Sequence, residues 1–271
     1  MEKYLISEYK NKRIKKLEKT DFNVYIEKLK KKKSSKTVRD IVANLKAILY
    51  YAEDKYDCNI RIKKIKTPKL RVKQLTILTS KEAKYLEKMC QKENTLMAYG
   101  IIVCLNTGLR IGEISALRWK NIDLDRREIR IRNTLQRIYL DKKNSKTEVI
   151  IGTPKSQSSD RSIPISDKLY KIFKMLKQKD YEEEFFLTGD SSKSIEPRTL
   201  RYGFKLLLSK YKMKTNYKFH ILRHTFATTC IEIGMDPKTL SEILGHSTVE
   251  MTLNKYVHSS YRIKKRYLDK L

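Results

Sequence analysis

The sequence predicts a mainly α-helical protein with a small antiparallel β-sheet. Apolar residues recur at helical spacing through most of the chain. One such stripe comprises Val38, Ile41, Val42, Leu45, Ile48, Leu49 and Ala52. The period changes to two at residues 128–132, and short β-prone runs follow at 149–151 and 161–165. With 271 residues, the chain has room for one large domain or two ordinary ones.

The net charge of +30 is the strongest compositional signal. Residues 1–75 hold 23 basic and 9 acidic residues, so this first quarter is more than twice as basic per residue as the remainder. A field of this sign favours a polyanion, and we expect nucleic acid. An anionic membrane surface and a compositional bias towards lysine are the alternatives.

The sequence gives no sign of membrane insertion or of a metal site. No apolar run approaches the roughly 20 residues of a membrane span, and the N-terminus has no apolar signal region. The four cysteines are scattered without a CxxC pair, so we expect reduced thiols. A cytoplasmic protein is therefore expected.

The first 66 residues are predicted to be helices with basic surfaces. Thr20 is predicted to cap one helix and Ser34–Ser35 to precede a longer one, with the run 30–33 as a loop of four cations between them. The candidate phosphate contacts are Lys31, Lys32, Lys36, Arg39 and Lys46. A merely solvated face is the alternative for each of these cations.

A basic linker at residues 67–76, interrupted by Pro68, separates this part from a second domain at 77–271. A capping box from Thr79 to Glu82 opens the second domain. A buried helix follows at 97–105, and the next cation is Arg110, which needs a partner if it is buried. Glu113, one turn on, supplies one. A purely structural Arg–Glu pair is the alternative interpretation.

Two of the predicted strands, 149–151 and 161–165, flank the turn-rich segment 153–160. We predict a hairpin with Lys155 at its tip. A solvated lysine is the alternative.

A His and an Arg three residues apart, His220 and Arg223, share a face if they lie on a helix. A permanent cation beside an imidazole that exchanges protons is suited to chemistry on a phosphate. The alternative is a helix start with a buried His and a solvated Arg. Further on, Gly245–His246 follows a helix, and Tyr256 comes ten residues after that histidine.

In this order and spacing, the four features resemble the tyrosine recombinases, also called phage integrases. They are Arg110 in Thr-Gly-Leu-Arg-Ile-Gly-Glu, Lys155 on a hairpin, His220-x-x-Arg223, and Leu-Gly-His246 followed by Tyr256. The resemblance covers about residues 77–258 and, more weakly, 15–60. It implies the DNA breaking-rejoining catalytic fold at 77–271 and a small helical core-binding domain at 1–66. No arm-binding domain is recognisable, so we expect either a minimal recombinase or a truncated one.

The resemblance also assigns roles in DNA cleavage. Arg110 and Arg223 would clamp the scissile phosphate, since a guanidinium binds phosphate in a fork. Tyr256 would attack phosphorus and leave a 3′-phosphotyrosine with a free 5′-hydroxyl. Since a phenol of pKa about 10 is protonated at neutral pH, it needs a base, and His220 matches the family's candidate.

The remaining roles concern the leaving group and the surroundings. Lys155 would protonate the departing 5′-oxygen, and His246 would donate to a phosphate oxygen. Glu113 and His224 would support these groups. The phosphotyrosine conserves the bond energy, so no metal, ATP or other cofactor is expected.

We therefore expect a site-specific recombinase for a mobile element, bound to double-stranded DNA. Arg198 and Arg201, on a helix that Pro197 opens, are further candidate DNA contacts. By analogy the tail from residue 259 would dock on a neighbouring protomer in a tetramer. A type IB topoisomerase-like relaxing enzyme and a non-catalytic DNA-binding remnant are the alternatives.

Overall fold

The computed structural model describes residues 2–56, 58–69, 75–141, 146–153, 160–177, 182–256 and 268–269. The chain divides into two compact units, Met1–Gln74 and Leu75–Leu271. Of the helices in these described ranges, none combines the length and apolarity needed to cross a bilayer. All four cysteines are free thiols.

The first unit is helical. Its helices are α1 (Glu2–Tyr9), α2 (Ile14–Glu18), α3 (Phe22–Lys32) and α4 (Ser35–Tyr56). Asp21 caps α3 by accepting a hydrogen bond from the Asn23 amide at 2.9 Å. The prediction of Thr20 as the cap is wrong, because its hydroxyl donates back to the Lys16 carbonyl of the preceding helix at 2.8 Å.

The predicted apolar stripe of α4 forms the core of this unit, except at one position. Val38, Ile41, Val42, Leu45 and Leu49 are buried. Ile48 is 55% exposed, because it lies at the edge of the stripe, roughly 80° from Val38 around the helix.

The segment after α4 completes this core. Ile60, Ile62 and Ile65 are buried in the same cluster, and a short 3-10 helix spans Ile62–Lys64. These residues therefore belong to the packed part of the first unit.

The run of four lysines is not the predicted loop. Lys30, Lys31 and Lys32 form the last turn of α3, and Lys33 ends the helix. Lysine is a good helix former, and Lys30 pairs with Glu27 one turn earlier at 2.6 Å.

The second unit contains a further set of α-helices in the ranges that the structure describes. They are α5 (Ser80–Glu93), α6 (Leu96–Thr107), α7 (Ile111–Ala116), α8 (Asp167–Leu176), α9 (Pro197–Lys210), α10 (Ile221–Ile233), α11 (Pro237–Leu244) and α12 (Val249–Tyr256). The predicted capping box of α5 is confirmed, since Thr79 and Glu82 exchange hydrogen bonds. The core is built around α6, which is buried on nearly every side. Trp119 packs edge-on against Phe173 and Phe186 in this core.

Two small antiparallel sheets replace the single predicted one. The strands are β1 (Ile122–Asp123), β2 (Glu128–Ile131), β3 (Thr134–Asp141), β4 (Lys146–Gly152) and β5 (Arg161–Pro164). One sheet has the order β1-β2-β5, and the other pairs β3 with β4. The predicted hairpin between 149–151 and 161–165 is therefore wrong.

The missed strand, β3, explains the error in pairing. It carries little of the alternation of buried and exposed residues that marks a strand, because Leu135 is its one buried residue among those described. Tyr139 and Leu140 are largely exposed. The β3–β4 ribbon buries few side chains, so the sequence of β3 lacks the alternating pattern that would have predicted a strand.

Candidate functional site

The C-terminal end of α11 presents three consecutive backbone carbonyls, and each accepts a hydrogen bond from a different arginine. The pairs are Arg161 Nε to Ile243 O at 2.6 Å, Arg223 Nη2 to Leu244 O at 2.8 Å and Arg110 Nη2 to Gly245 O at 2.7 Å. The last carbonyls of a helix lack partners within it, and this end carries a partial negative charge. The end of α11 therefore gathers cations from distant parts of the chain.

Glu113 joins two of these arginines. One carboxylate oxygen lies 2.7 Å from Arg110 Nη1, and the other lies 2.9 Å from Arg161 Nη2. The second oxygen also accepts from the Arg110 amide at 2.8 Å. Burial alone would raise the pKa of Glu113, but the hydrogen bond and charge of Arg161 and the charge of Arg110 hold that pKa below its ordinary value. The carboxylate is thus a fixed anion that orients both guanidinium groups.

Arg223 is the most deeply buried arginine of the cluster, with 2% of its surface exposed. Besides Leu244 O, it bonds Gly108 O at 2.8 Å, and Gly108 adopts the left-handed conformation that ends α6. Burial, followed by the charge of Arg110, lowers the pKa of Arg223 to about 10. The guanidinium therefore remains charged at neutral pH.

Tyr256 ends α12 and points into the same cluster. Its hydroxyl lies 3.1 Å from His224 Nδ1. The ring stacks on His246 with centroids 6.1 Å apart and an interplanar angle of 4°. His246 Nδ1 is in turn 2.7 Å from Thr252 Oγ1, and the His220 ring meets His224 edge-on at 4.4 Å. The phenol thus contacts the imidazoles of His224 and His246, and the imidazole of His220 contacts that of His224.

The three imidazoles are neutral at neutral pH. The pKa values of His220 and His246 are lowered to about 4, and that of His224 to about 3. Burial is the largest cause in each, and the charges of Arg223 and Lys255 add to it. His220 is an exposed residue by its accessible surface, and partial burial is still the largest cause of its lowered pKa. Each ring therefore has an unprotonated nitrogen at neutral pH, although the lowered pKa makes that nitrogen a weaker base than in a free histidine.

Burial raises the pKa of the Tyr256 phenol, and the charges of Arg223 and Arg110 oppose that rise. The hydroxyl is consequently protonated at rest, while two guanidinium groups are close enough to stabilise negative charge on its oxygen.

The structure brings together most of the catalytic residues predicted from the sequence. The cluster contains Arg110, Glu113, His220, Arg223, His224, His246 and Tyr256. Lys155 lies outside the described residues. Arg198 and Arg201 are exposed on α9, where Arg201 Nε bonds Pro197 O at 3.0 Å.

The predicted phosphate contacts of the first unit lie on its helices. Lys31, Lys32, Lys36 and Arg39 are exposed there, whereas Lys46 is half-buried. Their positions leave the first four accessible to a ligand.

Sequence reasoning missed Arg161, Thr252 and Lys255. A signal for Arg161 existed, since it shares the inward face of β5 with Ile163 at the strand period of two. Thr252 precedes Tyr256 by one helical turn and is fully buried. Lys255 Nζ lies 5.5 Å from the Tyr256 ring centroid.

We expect Arg161→Gln to lower the free energy of unfolding by about 3–5 kcal/mol, because it leaves Glu113 as a buried anion short of a partner. The Glu113 pKa is depressed on folding, so the stabilisation is present above its ordinary pKa of about 4.3 and is lost as the pH falls through the depressed value. Urea titrations at neutral and acid pH measure both effects.

The matched control is Arg127→Gln. Arg127 pairs with Asp167 at 2.6 Å, but both side chains are largely exposed, so we expect a change below about 1 kcal/mol. Equal effects of the two substitutions would show that burial of the Arg161 pair is unimportant.

The cluster joins a phenolic hydroxyl, neutral imidazoles and fixed cations in one place. Within the described part of the chain, no group of three or more His, Cys, Asp or Glu side chains is arranged to hold a metal ion. Guanidinium groups beside a phenol are suited to a phosphate ester, whose charge they neutralise.

The chain is similar to proteins of known family. It is 30% identical over 249 residues to a protein named tyrosine recombinase XerC-like from Caldanaerobacter subterraneus subsp. tengcongensis, covering 83% of this chain and 63% of that protein. It is also 30% identical over 202 residues to the transposase from transposon Tn916 of Enterococcus faecalis, covering 69% and 48%. The chain therefore spans less than two thirds of the length of either relative.

A solved structure shares the fold. The Tn1549 transposon integrase in complex with transposon right end DNA superimposes with a TM-score of 0.76 at 25% identity, covering 96% of this chain and 87% of that one. The phage integrase family matches residues 76–262, which include every residue of the cluster. The chain belongs to the phage integrase family.

Proposed function

We propose that this chain is a site-specific DNA recombinase that cleaves and rejoins DNA through a 3′-phosphotyrosine on Tyr256. The observation that carries the proposal is the position of the Tyr256 hydroxyl, 3.1 Å from an imidazole and in a cluster with two arginines. The names of the relatives support a role in integrating or excising a mobile element.

Arg110 and Arg223 hold the scissile phosphate through its non-bridging oxygens. Arg110 is partly exposed, with 36% of its side chain accessible. Arg223 is held in place by its hydrogen bonds to the carbonyls of Gly108 and Leu244. A guanidinium has five donors, so each arginine can keep its protein contacts and still bind a phosphate oxygen.

Proton transfer accompanies the attack. One of two imidazoles accepts the phenol proton: that of His220 at the N-cap of α10, or that of His224 within the helix. His246 supports the phosphate: when Thr252 donates to its Nδ1, the ring proton is on Nε2 and is available to a phosphate oxygen. Lys155 is proposed to protonate the 5′-oxygen, as the family resemblance implies.

The first unit is proposed to grip the DNA backbone. The tail from residue 259, most of which lies outside the described residues, is proposed to link protomers in a tetramer. Phosphate contacts position a protein on DNA without reading sequence. The exposed lysines at the end of α3 and the start of α4 provide such contacts.

We expect the double variant Lys32→Gln/Lys36→Gln to bind DNA with a weaker salt dependence. Each lost contact lowers the slope of log K against log salt by about 0.9. Fluorescence anisotropy with a duplex at several salt concentrations measures the slope. The control, Lys171→Gln/Lys174→Gln on α8, removes the same charge from exposed positions without a proposed DNA contact. Equal slopes for the two variants would contradict the proposed grip.

The function is tested by trapping the covalent adduct. The full chain is incubated with sheared genomic DNA from its source, denatured, and the protein-linked fragments are sequenced. We expect fragments that end at one recurrent sequence, joined through a 3′-phosphate to the peptide that contains Tyr256. Bound DNA without any linked fragment would show a non-catalytic binding protein. Adducts without sequence preference, together with plasmid relaxation and no recombinant product, would favour a relaxing enzyme.

A further inference from the structure

We propose that His224, the residue directly after Arg223, accepts the proton of the Tyr256 hydroxyl during DNA cleavage and returns it during rejoining. This assignment rests on the function proposed above. It gives a catalytic role to a residue that the sequence had placed only as a support.

The geometry around the phenol favours His224 over the other imidazoles. In the ranges that the structure describes, His224 is the histidine within hydrogen-bonding distance of the Tyr256 hydroxyl, at 3.1 Å from Nδ1. His246 presents its ring face to the phenol ring in a parallel stack. His220 contacts the His224 ring edge-on. A base must reach the proton that it removes, and His224 meets this requirement.

The packing holds this arrangement in place. Tyr256 is 4% exposed and lies in an apolar cluster with Ala227, Cys230, Leu240 and Leu244. His224 lies on α10 next to Arg223, so a single helical turn carries both the proton acceptor and a phosphate clamp. The same helix therefore positions both the residue that would accept the proton and the residue that would bind the phosphate.

The charge around His224 changes when DNA binds. In the free protein, burial followed by His220, Lys255 and Arg223 lowers the pKa of His224 to about 3. A phosphate bound between Arg110 and Arg223 adds a negative charge, which favours the protonated imidazole. Substrate binding therefore strengthens His224 as a base when it is needed.

In the proposed cleavage step, each bond that forms is matched by one that breaks. The Tyr256 O–H bond breaks and its proton moves to His224 Nδ1, while the phenolic oxygen forms a bond to phosphorus. The bond from phosphorus to the 5′-oxygen breaks, and that oxygen takes a proton from a general acid. In rejoining, the 5′-hydroxyl gives its proton back to that general acid and its oxygen bonds to phosphorus. The bond from phosphorus to the Tyr256 oxygen breaks, and His224 returns its proton to that oxygen.

The test compares His224→Asn with His220→Asn on a nicked suicide duplex built on the trapped cleavage sequence. An asparagine amide can keep a hydrogen bond to the phenol where Nδ1 lies, but it cannot take up the proton. We expect His224→Asn to slow adduct formation about 100-fold or more, with unchanged DNA affinity and thermal midpoint, and His220→Asn to lose less.

A second measurement separates proton transfer from positioning. A ring-fluorinated tyrosine at position 256 has a more acidic phenol, so it depends less on a base. We expect this replacement to restore part of the rate lost in His224→Asn, which a purely structural defect would not allow.

Two results would overturn the assignment while leaving the proposed function intact. One is an adduct rate for His224→Asn within about threefold of the unmodified chain, because removal of a base lowers the rate by much more. The other is a larger loss in His220→Asn that fluorotyrosine rescues. Failure of the unmodified chain to form any adduct would overturn the proposed function, and this assignment with it.

Discussion

Tyr256→Phe is expected to form no covalent adduct with the suicide duplex while binding it as tightly as the unmodified chain does. The substitution removes the oxygen that is proposed to attack phosphorus and nothing else. The ring keeps its stack on His246 and its apolar neighbours, so the fold loses about one neutral hydrogen bond, roughly 1 kcal/mol. Denaturing gels with labelled DNA report the adduct, and anisotropy reports binding.

The matched control is Tyr202→Phe, which removes a hydroxyl from a tyrosine that is 64% exposed on α9. We expect its adduct yield to equal that of the unmodified chain. An adduct that persists in Tyr256→Phe would identify a different nucleophile, with Tyr261 and Tyr267 as the next residues to substitute.

Local chemistry explains why so much of the helical fold is predictable. The capping box at Thr79 and the helix ends at Gly108, Gly234 and Gly245 depend on residues within a few positions of each other. Such local signals can be recognised from the sequence alone, because all the residues that form them are close together in the chain. The ends of these helices of the second unit follow from them.

Pairings between distant segments are not predictable in this way. The strand β3 pairs with β4 although Leu135 is its one buried residue among those described, so no alternation revealed it. Arg161 joins Glu113 across 48 residues, and the link depends on where α11 ends. The sequence indicates which side chains of a strand face inward, but it does not show which distant residue each of them contacts.

The same limit applies to the proton acceptor. His220 and His224 are one helical turn apart, and both are compatible with the spacing of the motif. Which ring meets the Tyr256 hydroxyl depends on how α12 packs against α10, and that contact lies 32 residues away along the chain. The family resemblance assigned the base to His220 and a supporting role to His224, and the spacing of the motif does not show that His224 lies next to the Tyr256 hydroxyl.

Arg223→Lys is expected to reduce cleavage of the suicide duplex by roughly 10²–10³-fold, about 2.7–4 kcal/mol of transition-state stabilisation. The lysine keeps the charge, but its compact ammonium lacks the planar fork of a guanidinium. Arg223 uses one nitrogen for Gly108 O and another for Leu244 O, and its proposed role requires further donors for phosphate. One ammonium cannot satisfy both carbonyls and a phosphate in the same geometry.

Three measurements on this variant separate a clamp from a structural bridge. Loss of the bridge alone would lower the thermal midpoint and leave single-turnover cleavage near that of the unmodified chain at a temperature where the variant is folded. Loss of the clamp slows cleavage at saturating DNA, while affinity, which many other cations supply, changes little. The control Arg126→Lys alters an exposed arginine to which no DNA contact is assigned and is expected to leave the cleavage rate unchanged. Cleavage by Arg223→Lys within a few-fold of the unmodified rate would mean that Arg223 serves the fold, and that Arg110 must neutralise the phosphate with other partners.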